Sequence, residues 1–422
     1  MKIKAYISFL IDVLLHSITS FGGPQSNLGL LQSRFVETRK DITEEELLEY
    51  NALCQLLPGA SSTQTIVLIG YKLGGYTLAM LTLLIWILPA CTIMTLIAIL
   101  YSHQNFSTGF GILEYLKPMS IAFIISATFH LYKNAVNNTI TKWIFVGACI
   151  LVLIGFKSPW TIPLVIILAG IATNFSKKRI VQTPFQKTKI RWRGIFIFVL
   201  LFAMAGFLSE KATRNNWAHQ KVFNLFETNY RFGTFVFGGG DVLVPLMYEQ
   251  YVTRPSTERV KKSKRDVIKI SSDAFLTGAG IVRAVPGPVW SVTSYMGAIA
   301  VNDKLLYWQI IGAITASLGV FLPSFFIVLF AFPFWQNLKK YAVVFRSLEG
   351  INAAVVGIML GASFYLSKDL IQAMNTNSVL TIFINLGILI ACTYLLYTKK
   401  IATQWLVLGV VFLGLIHFFA QA

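Results

Sequence analysis

Phe21-Gly22-Gly23-Pro24-Gln25 returns about 216 residues later as Phe237-Gly238-Gly239-Gly240-Asp241, and the other landmarks return in the same order around it. Gln55-Leu56-Leu57-Pro58-Gly59 corresponds to Arg283-Ala284-Val285-Pro286-Gly287, and Ile69-Gly70-Tyr71 to Met296-Gly297-Ala298. Leu88-Pro89-Ala90 corresponds to Leu322-Pro323-Ser324. Lys117-Pro118-Met119-Ser120-Ile121-Ala122 corresponds to Glu349-Gly350-Ile351-Asn352-Ala353-Ala354. Landmarks kept in order at a nearly constant offset mark an internal duplication. The chain therefore divides into a first copy (1–176), a basic linker with a connecting helix (177–216) and a second copy (217–422).

The segments between landmarks are apolar. Of 422 residues, 55% are hydrophobic and only 13% charged, about half the charge of a soluble domain. Stretches near the ~20 residues that cross a bilayer recur from end to end. The N-terminal run after Lys4 has no small-residue cleavage site and is interrupted by Asp12 and His16, so it reads as a retained first helix. Each copy reads as six helices, two broken (5–36 and 43–73, then 217–250 and 264–301) and four continuous. With a connecting helix at 194–210, the expectation is an all-α polytopic membrane protein of about 13 transmembrane helices in two inverted repeats, with helices broken at the midplane. A rival reading makes each broken pair a re-entrant hairpin, which keeps the duplication and changes the count.

The net charge of +18 would suggest nucleic acid for a soluble protein. Here the cations sit in short loops between apolar segments, so membrane lipid is the expected neighbour and no nucleic acid is. A cytoplasmic N-terminus places roughly two-thirds of the 36 Lys and Arg inside, counting both the central linker and the loop from Arg254 to Lys269. That pattern suits a multi-pass protein of the inner or plasma membrane. Cys54, Cys91, Cys149 and Cys392 are isolated in apolar segments and form no C-x-x-C pair.

Helix breaks inside a membrane are tolerated where they line a cavity or are buried in protein. Paired breaks in two repeats are the strongest sequence pointer to a transport site. Four occur: Gly22-Gly23-Pro24, Pro58-Gly59, Gly238-Gly239-Gly240 and Pro286-Gly287-Pro288. Each can start a half-helix whose free N–H groups and positive dipole end attract an anion. Ser61, Ser62, Thr63 and Gln64 follow the second break, and Ser291, Thr293 and Ser294 the fourth, as further donors. Arg283 stands in the membrane three residues before Pro286, either as a countercharge for the anion or in an ion pair with Asp241, Asp273 or Glu349. Asp241 reads as a site residue or as a helix N-cap. Asp12 and His16, one turn apart, read as a proton relay or as a structural pair.

These landmarks resemble the chromate ion transporter family in its long, two-domain form. Both halves carry an F-G-G segment ending the first apolar helix. An acidic helix start (Thr43-Glu44-Glu45-Glu46), L-x-P-G before a further helix and a Pro inside the long third helix complete the pattern. The resemblance implies efflux of chromate, with sulfate-like oxyanions as related substrates and no nucleotide. By matching positions it implicates Gly22, Gly23, Gln55, Pro58 and Gly59, then Gly238, Gly239, Gly240, Pro286, Gly287, Pro288 and Asn352. Pro24 stands where a third glycine is expected, Ala60 where a second proline is common, and Arg283 where Gln is usual.

The expected function is transport of a small inorganic anion across the membrane, with Gln25, Ser61, Ser62, Asp241 and Arg283 added to the implicated residues. Import, or a channel for another small anion, is the alternative. No G-x-S-x-G, H-E-x-x-H or paired-aspartate motif supports an enzyme, no metal-ligand spacing occurs, and no cofactor is expected; a homodimer is left open.

Overall fold

The computed structural model describes residues 2–21, 23–103, 113–158, 160–175, 192–237, 239–262, 266–301, 305–335, 342–374 and 379–421. Among these the regular structure is helical throughout. In the first copy α1 (Lys2–Thr19) precedes α2 (Gly23–Leu31), which runs on as a π-helical segment, Gln32–Thr38. Then come α3 (Glu44–Leu56), α4 (Ser61–His103), α5 (Leu116–Ala135), α6 (Thr139–Gly155) and α7 (Thr161–Ala172). The connecting helix is α8 (Trp192–Arg214). The second copy holds α9 (Gln220–Phe235), α10 (Gly240–Tyr248, with π-helical Glu249–Thr253), α11 (Ser272–Ile281), α12 (Val292–Ala300), α13 (Leu306–Ala331), α14 (Ala342–Met374), α15 (Val379–Thr398) and α16 (Thr403–Gln421).

Local sequence sets several boundaries. Thr43 caps α3 in a reciprocal box, its hydroxyl accepting the Glu46 N–H at 3.2 Å while the Glu46 carboxylate accepts the Thr43 N–H at 2.8 Å. Asn138 caps α6 in the same way with Thr141. α4 is two helices joined at Gly74 and Gly75, where the backbone leaves helical geometry and Gly75 takes φ +69°. The break falls where the sequence places the end of the second broken segment.

Four helices among the described residues are long and apolar enough to cross a bilayer: Ser61–His103, Gly194–Arg214, Leu306–Ala331 and Arg346–Lys368. Their outer faces and those of the shorter helices carry exposed Phe196, Phe207, Ile154, Phe383, Trp405 and Phe412. A surface of that kind is stable in lipid and aggregates in water. The protein is a helical membrane protein. Inside it, α14 packs on α5, α6 and α7, while α13 packs on α4, α9 and α12.

The broken segments do not run straight through. Lys72 Nζ lies 2.6 Å from Glu46 Oε2, although 26 residues of continuous helix would part them by roughly 40 Å. Arg39 pairs with Asp12 at 2.5 Å across the first break. Asn229 Nδ2 donates to the Tyr251 hydroxyl at 3.0 Å, and Gly278 packs on the Tyr295 ring. Each broken pair therefore folds back as a hairpin of two half-helices. These ties replace the expectation of in-line crossings, and with it the count of thirteen, by the re-entrant alternative. At three of the breaks a glycine, Gly59, Gly239 or Gly287, takes the positive φ that lets the chain turn back.

One charge assignment changes with this. The loop after α10 meets the far end of α8: Gln220 Nε2 donates to Asp266 Oδ2 at 3.2 Å, and Ser209 and Thr213 both bond Asn224. The basic linker precedes the other end of α8, roughly 35 Å away for a helix of this length. The described part of the loop from Arg254 to Lys269 therefore lies at the opposite end of α8 from Trp192, the first described residue after the linker, whereas the charge pattern alone places loop and linker on one face. A cavity of about 720 Å³ opens at the loop's end of α8, lined there by Ser209, Glu210, Asn224, Arg231, Arg254 and Asp266 and closed by Lys157 and Trp160 from the α6–α7 turn.

This arrangement puts the α6–α7 turn and the 254–268 loop on one face, and the α5–α6 turn on the other. In a background without native cysteines, Asn137→Cys and Lys262→Cys should react with a membrane-impermeant thiol reagent from opposite sides. Labelling of both from one side would contradict the hairpin fold.

Candidate functional site

The four breaks meet. Gly59 donates its N–H to the Val236 carbonyl at 2.8 Å, and Gly287 donates its N–H to the Ser20 carbonyl, also at 2.8 Å. Val236 and Ser20 each stand just before the Phe-Gly motif of the opposite copy, so each Pro-Gly tip is held by the other copy's Phe-Gly tip. The same exchange involves the proline-containing helices. Ala60 N–H donates to Ser324 Oγ at 3.3 Å beside Pro323 of α13, while Gly287 packs on Ala90 beside Pro89 of α4. Gln64, fully buried, bridges its own tip to α13 by donating to the Pro58 carbonyl at 2.9 Å and the Ser324 carbonyl at 3.3 Å.

Glycine is required at both tips. Gly59 has φ +122° and Gly287 φ +108°, a region L side chains rarely adopt. A Cβ on Gly287 would stand 2.9 Å from the Ala90 methyl, and one on Gly59 would strike Ser324 Oγ and approach Gln64 Nε2 to 2.8 Å.

Between the tips lies a cavity of about 30 Å³. Ser20 and Asn27 reach it from the first break, and Ala60, Ser61 and Ser62 from the start of α4. Gly239, Gly240 and Asp241 line it at the start of α10, and Gly287, Pro288, Val289 and Trp290 at the turn opening α12. The first N–H groups of a helix have no intrahelical partner, so several donors and positive helix ends converge here. Among the described residues the indole N–H of Trp290, which lines the cavity, and the buried hydroxyl of the next residue, Ser291, have no hydrogen-bond partner.

Of the residues singled out from sequence, Ser61, Ser62, Gly239, Gly240, Asp241, Gly287 and Pro288 line the cavity. Pro58, Gly59 and Pro286 build the tips. Gly22 and Gly238 lie outside the described residues, as do the side chains of Pro24 and Gln25; Gly23 begins α2. Three of the remaining residues stand differently from what was expected. Gln55 is exposed on α3, and Asn352 is half-buried on α14 and lines neither cavity. Arg283 is not a free countercharge: it is ion-paired to Asp241 and lies with its guanidinium carbon 5.1 Å above the Phe123 ring.

The other candidate partners of Arg283 are engaged elsewhere, Asp273 with Lys117 at 2.5 Å and Glu349 with Asn138 at 2.7 Å. Gly239, not Asp241, is the N-cap of α10. Thr293 and Ser294 spend their hydroxyls on the Trp290 carbonyl and on Ser317. Asp12 and His16 form neither a relay nor a pair. Asp12 binds Arg39, whereas His16 is buried behind the first tip, stacked on Trp86 at 5.2 Å and 3.3 Å from Ser20 Oγ. Ser20, Asn27 and Trp290 escaped the sequence reading; the one available signal was their position beside a Gly or Pro break.

The model of the family described as chromate transporter matches residues 7–174 and 223–415, the two copies separately. The chain belongs to the chromate transporter family. Among similar proteins are a chromate transport protein of Cupriavidus metallidurans, 23% identical over 94% of this chain and 90% of its own length, and one of Pseudomonas aeruginosa, 23% identical over 94% and 88%. An uncharacterized transporter of Methanocaldococcus jannaschii is 24% identical over 85% of this chain and 83% of its own. No solved structure matches. Family membership and the apolar helices together make this a membrane-embedded transporter of the chromate type.

The strained tips give a test. The positive φ values and the close neighbours leave no room for a methyl group at Gly59 or Gly287. Gly287→Ala should destabilise the purified protein by roughly 1–3 kcal/mol, read as a lower thermal transition, and Ala90→Gly should restore part of the loss. An unchanged transition in Gly287→Ala would contradict the tip geometry.

Proposed function

We propose that this transporter carries a tetrahedral oxyanion of the chromate and sulfate kind, bound where the four hairpin tips meet, and that it exports it. The observation that carries the reading is the convergence of helix starts from both copies on one small cavity, with the idle Trp290 N–H and Ser291 hydroxyl at its edge. Converging helix N-termini supply a field for negative charge without needing a free cation. Unpaired buried donors are costly and are expected where a ligand completes them.

The two copies are read as inverted: the hairpins of each open to opposite faces and the cavity lies between them at the midplane. The exchange of hydrogen bonds between tips, and the placing of the basic linker and the 254–268 loop at opposite ends of α8, support this. A cavity of about 30 Å³ is closed to an oxyanion, which favours a carrier that must change shape over an open channel. The 720 Å³ cavity beside the α9–α10 hairpin is the approach on the second copy's side. On the first copy's side the ion pairs Arg39–Asp12 and Lys72–Glu46 close the hairpin bases.

Energetics favour export. A dianion leaving an inside-negative cell gains about 4.6 kcal/mol per 100 mV, roughly three decades of concentration. Import would need at least two coupled positive charges to break even. The plasma membrane, with the N-terminus and the central linker on the cytoplasmic side, is the location consistent with this direction.

Chromate and sulfate flux in proteoliposomes under an imposed potential tests the proposal. Flux should saturate and follow a potential that drives the dianion out of the compartment facing the linker. Trp290→Phe, which removes one donor and keeps the ring, should weaken apparent affinity several-fold in a normally folded protein. Flux of neither anion by the wild type would overturn the assignment.

A further inference from the structure

The charged pair at the junction has no counterpart in the first copy. Asp241 corresponds to Gln25 and Arg283 to Gln55, so the second copy carries a carboxylate and a guanidinium where the first carries two neutral amides. The two charges are joined in the structure. Asp241 is the second residue of α10 and lines the cavity, among N–H groups that have no partner within the helix. Its carboxylate thus takes both attractions that an entering anion would use: the positive end of α10 and the nearest cation.

Other donors at the same place remain unused. Trp290 is 2% exposed, its Nε1 has no partner among the described residues, and its neighbouring Cδ1 lies 3.1 Å from where a Cβ on Gly240 would stand, so the pyrrole edge faces the start of α10. The Arg283 Nε is also without a partner. The cavity of about 30 Å³ has room for roughly two waters, fewer than the four oxygens around an oxyanion's central atom. The site is therefore shaped for an anion and filled by one of the protein's own.

We propose that Asp241 is a tethered competitor, whose carboxylate holds the oxyanion's place in the empty carrier and must leave Arg283 for the oxyanion to bind. This rests on the reading of the cavity as the oxyanion site. Its consequence is selection by charge. A dianion interacts with Arg283 and the helix ends about twice as strongly as a monoanion at the same distance. Sulfate or chromate can therefore displace the carboxylate, while a monoanion such as nitrate, with similar oxygens and half the charge, cannot. At the corresponding positions the first copy carries the neutral residues Gln25 and Gln55, so its sequence supplies no second competitor.

The test measures sulfate binding to the purified full-length protein, with nitrate as competitor. Asp241→Asn should tighten sulfate binding by roughly tenfold or more and let nitrate compete at concentrations that leave the wild type unaffected. Unchanged or weaker sulfate binding with nitrate still excluded, in a protein with the wild-type thermal transition, would overturn the proposal. If Asp241→Asn does not fold, the Asp241→Asn/Arg283→Gln double variant decides, because it leaves no unpaired charge and recreates the first copy's two amides. It should bind nitrate, which the wild type does not, and the absence of nitrate binding in the folded double variant would overturn the proposal. A wild type that binds neither sulfate nor chromate would fail at the earlier step, the assignment of the cavity itself.

Discussion

The hydrogen bonds from Gly59 to Val236 and from Gly287 to Ser20 hold the molecule's centre. Chain reversals inside a bilayer expose backbone N–H and C=O groups that no water can satisfy, at several kcal/mol each. Here each copy's reversal is completed by the other's. The two copies therefore satisfy at each other's reversals backbone groups that lipid could not. The positive φ angles at both glycines and the contacts with Ser324 and Ala90 follow from the same requirement.

The cavity between the tips is a by-product of that mutual support. Tips that bond through their backbones leave the first N–H groups of the following helices pointing at a shared space, and the residues that line it are mostly Gly, Ser, Pro and Ala. Charge is introduced at one point only, where Asp241 and Arg283 neutralise each other. As the proposed anion site, built from helix ends with its cation already paired, the cavity would be attractive without being a permanent sink. A carrier needs that property, because it must release what it binds.

Much of this was legible in the sequence because the decisive residues are backbone-determining ones. Pro58-Gly59, Gly239-Gly240 and Pro286-Gly287-Pro288 mark the reversals, and the repeat shows that they belong together. Whether each break bends the chain or turns it back was not legible. Apolar half-helices look the same either way, and the answer lies in long-range ties such as Lys72–Glu46 and Asn229–Tyr251. The loop from Arg254 to Lys269 misled for the same reason, since counting its cations on one face presumed a through-crossing. Gln55 and Asn352 matched a pattern and lie away from the cavity, whereas Ser20, Asn27 and Trp290 line it and carry no motif of their own. Side-chain direction at a tip depends on the partner tip, which local sequence does not specify.

The most direct measurement is the position of chromium in the chromate-bound protein, located by its anomalous scattering. A single peak among the starts of α4, α10 and α12, within hydrogen-bonding reach of the Ser61, Gly240 and Trp290 donors, is the predicted result. A peak confined to the outer cavity beside Arg231 and Arg254, with the junction empty, would contradict the assignment of the hairpin tips as the transport site.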